Sequence, residues 1–177
     1  MVDAEYKFTY VDVGAYGRDS DGEVFSRCSL SKALETNLIN IPQPQSLSEE
    51  SQPATFVVVA DDAFPLKNFI MKPYSFRQHS IDQRVFNYRL SRARRVVENA
   101  FGISATRFRV LRRCLDVSVD RAIKLVLAIC VLHNFLLSKN NVSTLEVDHE
   151  VDGTVVEGTW RAILREENNF HNISTCH

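Results

Sequence analysis

Apolar and polar positions change period several times along this 177-residue chain, and each change marks an element. Tyr6–Val13 sets aromatic residues alternately with others, the period of a strand. Residues 14–22, with three glycines, form a turn-rich loop. Val24–Leu38 is expected to be a helix, capped by Ser20 or Asp21. Pro42–Pro53 is rich in Pro, Gln, Ser and Glu and is expected to be an exposed loop. Thr55–Ala60 is an unbroken β-branched and aromatic run, which predicts a strand buried on both faces, parallel or central in a sheet. A short helix over Phe64–Met71 and a loop over Lys72–Gln83 should follow.

From Arg84 or Asn87 to Phe101 the period becomes helical. Phe86, Leu90, Ala93, Val97 and Ala100 or Phe101 make the apolar stripe, and Gly102 is placed to end the helix. Asn87, Ser91, Arg94 and Glu98 fall on a second face, about 100° round from the stripe. Ser118–Leu137 is nearly all apolar after Ile123, so a long buried helix is expected. Beyond Ser138 the chain turns polar and acidic, which predicts a disordered or weakly ordered tail with Trp160–Leu164 as a short docking piece. The expected organisation is one domain over residues 1–137 and an acidic tail over 138–177, without internal repeats.

Composition narrows the class. An apolar fraction of 45% is ordinary for a globular protein. The best uninterrupted apolar run, Leu125–Leu132, is too short to span a membrane. The start, Met1–Tyr6, has neither the basic nor the apolar stretch of a secretory signal, so the sequons at Asn141 and Asn172 are read as chance matches. Cys28, Cys114, Cys130 and Cys176 are scattered without a CxxC pair, which argues against zinc and a disulfide framework and fits a reducing compartment.

Charge is segregated. Nine arginines and one acid, Glu98, lie between Arg84 and Arg113, so that stretch carries +8 and the rest of a chain of net −1 carries −9. Arg is the side chain suited to bidentate phosphate contact. A solvated helix face is the plain reading of the run. The functional reading is a nucleic-acid backbone surface including Arg92, Arg94, Arg95, Arg107, Arg109, Arg112 and Arg113, with salt-sensitive affinity.

Candidate chemistry rests on two carboxylates. Asp61 ends the Thr55–Ala60 strand and Glu98 lies on the following helix. Hard divalent cations such as Mg²⁺ or Mn²⁺ take oxygen ligands, and two such ions about 4 Å apart can clamp the attacking and leaving oxygens of a phosphodiester. Arg94 and Arg95 could contact the phosphate, or Glu98 could simply pair with either at helical spacing. Asp62 is read as a cap for the helix after Ala63, Asp19 and Asp21 as loop or cap residues. Asp12 has no assigned role, and His133 is read as a satisfied core polar group. Phosphate-loop glycine motifs and nucleophile elbows are absent from the sequence.

Four blocks in order, YKFTYVDVGAYGRDSDGEVFSRC, VVVADDAFPLKNFIMKPY, FNYRLSRARRVVENAFGISATRFRVL and VLHNFL, resemble the nuclease domain of PIF/Harbinger transposases, the DDE superfamily endonuclease domain. The resemblance covers residues 3–137. It implies a ribonuclease H-like fold, a mixed sheet flanked by helices. It also implies that Asp61 and Glu98 are the second and third catalytic acids, binding Mg²⁺ or Mn²⁺ for hydrolytic cleavage of DNA. A Myb-like DNA-binding partner and a nuclear, or also cytoplasmic, location are implied in the same way. The family's first acid lies in an Asp-Gly-type motif on the first strand, upstream of the block that begins here at Asp3. The chain is therefore expected to be N-terminally shortened, without its first strand and catalytically incomplete. The rival expectation is a non-enzymatic, domesticated DNA- or protein-binding module that keeps the arginines.

Overall fold

A computed structural model of the chain describes residues 1–49, 51–75, 78–139 and 146–171, the last six by their backbone alone. Both sequons lie outside these residues. The chain is a mixed α/β protein that divides into two compact units, Ala15–Arg94 and Met1–Gly14 with Arg95–His177. The described strands pair into three two-stranded sheets.

In the unit Ala15–Arg94, α1 (Asp21–Arg27) and α2 (Ser29–Glu35) replace the single helix expected over Val24–Leu38. Ser20 is the N-cap of α1, and it exchanges hydrogen bonds with Glu23 in a capping box. The helix breaks at Cys28, whose backbone is extended (φ −72°, ψ 158°) and whose Sγ accepts from the Ser31 N–H as the N-cap of α2. Residues 42–49 are exposed as expected, and the segment contributes to a small antiparallel pair of β1 (Gln45–Ser46) and β2 (Pro53–Ala54).

Parallel pairing is the correct part of the next expectation. Strand β3 (Val58–Val59) pairs in parallel with β4 (Ile70–Met71), and the Ala60 N–H donates to Met71 O at 2.9 Å. The strand is shorter than Thr55–Ala60, and its valines are half-buried because β4 is its only partner among the described residues. No helix forms over Phe64–Met71, so Asp62 does not cap one; Ile70–Met71 is spent on the sheet instead. Phe25, Leu30, Leu34, Ala60, Ile70 and Leu90 form this unit's core.

Helix α3 (Ile81–Arg107) runs through both units and does not stop at Gly102. A side chain at Gly102 would collide with the ring of Trp160, so this glycine is a notch for an aromatic ring rather than a terminator. After the short 3₁₀ turn Arg109–Arg112, α4 (Val119–Ser138) begins at Ser118. Its Ile129, Cys130, His133 and Leu137 are buried, but Leu127, Val131, Leu132 and Phe135 are exposed, Val131 at 68%. The expectation of a wholly buried helix is thus half met. By length and composition alone this helix could cross a bilayer, although one face is built into the unit's core.

Tyr6–Val13 is not a regular strand. One bridge links Val2 to Phe8, and Tyr6 takes a left-handed backbone (φ 65°). The backbone groups a neighbouring strand would satisfy are met by α4 side chains. Asn134 Oδ1 accepts from the Phe8 N–H and its Nδ2 donates to Phe8 O, both at 2.8 Å, and His133 Nε2 lies 2.8 Å from Tyr6 O. Asp12, unassigned from sequence, is exposed.

The acidic segment after Ser138 is structured where it is described, against the expectation of disorder. Strands β5 (His149–Val151) and β6 (Thr154–Val156) form a hairpin turned by Asp152-Gly153, both left-handed, and α5 (Thr159–His171) follows. This segment joins Met1–Gly14 and the chain from Arg95 in one unit. The expected docking piece at Trp160 is present: the ring is buried at 6% exposure.

Candidate functional site

Asp61 follows the carboxyl end of β3, the position expected for it. Its Oδ1 accepts from the Ala63 N–H at 3.0 Å, turning the chain sharply after the strand. Its Oδ2 lies 3.6 Å from Arg94 Nη2, and both side chains are about one-third exposed (34% each). The turn is fixed from several sides. Lys72 Nζ donates to Asp62 O at 2.7 Å and Phe64 O at 2.9 Å. Phe64 meets Phe25 with ring centroids 5.5 Å apart. A side chain at Gly22 would come within 2.5 Å of Ala63 O, so the start of α1 lies directly on the turn. Asp62 points away to Ser75 Oγ at 2.6 Å and Lys72 Nζ at 3.3 Å, and those partners hold its pKa below the usual carboxylate value. Asp61 is thus presented on a rigid turn, as a ligand or phosphate-facing group must be.

Glu98 belongs to the other unit. It is exposed on α3 and does not pair with Arg94 or Arg95; its Oε2 lies 3.4 Å from Arg161 Nη2 of α5. Arg161 is in turn anchored by Asp148, whose side chain is 1% exposed. Arg161 Nε donates to both carboxylate oxygens at 3.0 Å, Nη2 adds a bond of 2.5 Å, and the Gly158 N–H adds one of 2.8 Å. Burial works to raise the Asp148 pKa. The bonds from Arg161 and Gly158, with the charges of Arg161 and Arg95, outweigh it and leave the pKa lowered. Asn99 completes the cluster: its Oδ1 accepts from Trp160 Nε1 at 2.9 Å and from the Asp148 N–H at 3.1 Å. Arg161 lies over the Trp160 ring, 4.3 Å from its centroid.

Asp148 and Arg161 were missed in the sequence. The composition of the tail suppressed both, and the one signal toward them was the lone tryptophan beside an arginine.

The arginines of the run differ in exposure and in their partners. Arg112 is used internally, donating from Nε to Ala105 O and from Nη2 to Thr106 O, each at 2.5 Å, which closes the end of α3. Burial lowers the Arg107 pKa. Arg94 and Arg95 are half-buried, and Arg94 faces Asp61. Arg84, Arg89 and Arg92 are exposed in one unit, and Arg109 and Arg113 in the other. Arg92 also stacks on Tyr88, 5.8 Å from its centroid.

Asp61 and Glu98 are suitable hard oxygen ligands, but each has a guanidinium beside it. Among the described residues no group of three or more His, Cys, Asp or Glu side chains converges. As they stand, these residues do not make a divalent-metal centre.

Residues 1–134 match the family described as DDE superfamily endonuclease, whose members typically use divalent metals. A relative named Protein ALP1-like, from Arabidopsis thaliana, is 25% identical over 138 residues, covering 77% of this chain and 34% of that protein. The chain therefore spans about a third of the length of this curated relative. No solved structure matches.

Proposed function

This chain belongs to the DDE superfamily endonuclease family, and from that premise we propose that it is a transposase-derived nuclease domain of the PIF/Harbinger type that acts on DNA. In this reading the core is ribonuclease H-like. Asp61 and Glu98 are the second and third acids of a Mg²⁺ or Mn²⁺ centre. The protein works in the nucleus with a Myb-like DNA-binding partner. The observation that supports it most is the family match, which spans both acids and the whole arginine run. Asp61 on its braced turn at a strand end is consistent with it.

A divalent ion, were Asp61 and Glu98 joined by a further oxygen donor to hold it, would supply charge relief at the phosphate and an activated water. The chain's own residues do the rest. Exposed arginines meet phosphate oxygens as bidentate donors. The turn after β3 holds the Asp61 headgroup in a fixed direction. A full centre needs a further oxygen donor beyond Asp61 and Glu98, so with these donors alone the chain engages DNA without completing cleavage.

The second reading is a non-enzymatic DNA- or protein-binding module. It is favoured by one specific observation, that both acids already hold arginine partners. Calorimetric titration of the full chain with MnCl₂ separates the two. The nuclease-derived reading expects Mn²⁺ binding that Asp61→Asn or Glu98→Gln removes. Isotherms unchanged in both variants would retire it in favour of the module. Nicking of supercoiled plasmid that vanishes with Asp61→Asn would instead overturn the claim of incompleteness.

A further inference from the structure

The start of α3 carries apolar residues on two opposite faces. Phe86 and Leu90 pack inward: Leu90 is buried, and Phe86 meets Tyr74 edge-on with ring centroids 5.3 Å apart. On the side opposite Leu90, Ile81, Val85, Tyr88 and Arg92 recur at the spacing i, i+4, i+7, i+11, within about 60° of one another at 100° per residue. All four are exposed. The strip runs about 16 Å along the helix. Arg84 borders it on one side and Arg89 on the other, both exposed, each about 40° from its edge. Asp82, in the first turn, is the one acid between Ile81 and Arg92.

The makeup of this strip selects its ligand. Three arginines supply bidentate donors for a chain of phosphates. The apolar residues among them gain nothing from a duplex, whose base faces are stacked inside. An unpaired strand uses both features, because every base offers a π-face to an aromatic ring while the backbone follows the positive charge. Tyr88 is placed for that stacking. Its ring remains 46% exposed with the Arg92 guanidinium 5.8 Å from its centroid, and Arg is the cation that both stacks on a ring and grips a phosphate.

We propose that the outward face of α3 from Ile81 to Arg92 is a site for an unpaired DNA strand, with a base stacked on Tyr88 and phosphates held by Arg84, Arg89 and Arg92. The site rests on the reading that the chain acts on DNA, and it adds the form of DNA taken up.

Fluorescence anisotropy of the full chain tests it, with a labelled oligothymidylate of about 12 nucleotides and, separately, a labelled duplex of the same length. Tyr88→Leu keeps an apolar residue and a good helix former but removes the ring. It should bind the single strand about fivefold or more weaker, the loss of one stacked base, and bind the duplex as wild type does. Tyr88→Phe, which keeps the π-face, should match wild type on both. An abasic strand of equal length, with phosphates but no bases, should bind wild-type protein weaker by the same factor, a comparison that needs no variant. Salt-dependent binding of both DNAs that is indifferent to Tyr88→Leu and to loss of the bases would overturn the stacking site and leave the DNA reading standing. A loss equal on strand and duplex, or shared by Tyr88→Phe, would also overturn it. Displacement of the labelled strand by polyglutamate as readily as by unlabelled oligothymidylate would assign the strip to an acidic protein instead, and tighter binding of oligouridylate would assign it to RNA. Failure to bind either DNA would remove the site and the DNA reading together.

Discussion

His133 shows how much one side chain can decide. It is fully buried between Ser104 Oγ, 3.0 Å from Nδ1, and Tyr6 O, 2.8 Å from Nε2. A carbonyl can only accept, so Nε2 carries a proton, while Nδ1 and Ala100 O, 2.8 Å from Ser104 Oγ, compete for the one Ser104 hydroxyl proton. Burial lowers its pKa most; the Tyr6 carbonyl opposes this and the charge of Arg107 adds to it. Because the folded pKa lies below the ordinary 6.5, the stability from neutral His133 is present above pH 6.5 and lost as pH falls through the folded value. Melting temperature should therefore drop on acidification below that pH, and His133→Gln should melt lower at neutral pH but with a flatter acid limb. Equal acid slopes in the two proteins would exclude His133 as the source. Gly102 makes a second residue-scale case. Gly102→Ala drives a methyl into the Trp160 ring, and overpacking of this kind costs roughly 1–3 kcal/mol. Denaturant unfolding should register that loss, together with a red-shifted Trp160; full stability would mean that the ring is held elsewhere.

At the scale of elements, the sequence was most readable where local pattern and tertiary role agree. Thr55–Ala60 reads as a parallel or central strand buried on both faces; the parallel pairing, over Val58–Val59 alone, and the place of Asp61 after it are found, but the burial is not. The Ser20 cap was legible in local pattern alone. Pattern failed where a distant partner decided the outcome. Gly102 carries the signature of a helix end, yet its role is set by an aromatic ring 58 positions later in the sequence. Tyr6–Val13 alternates like a strand, but its backbone bonds run to Asn134 and His133 instead of to a neighbouring strand. Asp148 was invisible because acidic composition spoke for disorder, whereas Arg161 and Asn99 make its burial tolerable. Asn134→Ala tests this arrangement. It leaves the N–H and carbonyl of Phe8 without partners, at roughly 1–3 kcal/mol for each group left unsatisfied. Hydrogen exchange at Phe8 should accelerate relative to the α4 backbone; unchanged protection would show that Asn134 does not stand in for a strand.

For the molecule as a whole, the proposed action on DNA draws on the family assignment and on the exposed arginines. Of the arginines between residues 84 and 113, Arg84, Arg89, Arg92, Arg109 and Arg113 are exposed, while Arg112 is committed to the end of α3. The most direct measurement is the affinity of the full chain for a short duplex as a function of NaCl concentration. Arginine–phosphate contacts predict that the logarithm of the association constant falls linearly against the logarithm of salt, with a slope of about −1 for each contact, and that Arg113→Ala makes it shallower by about 1. Affinity that is absent at low salt, or indifferent to salt, would contradict the claim that this protein acts on DNA.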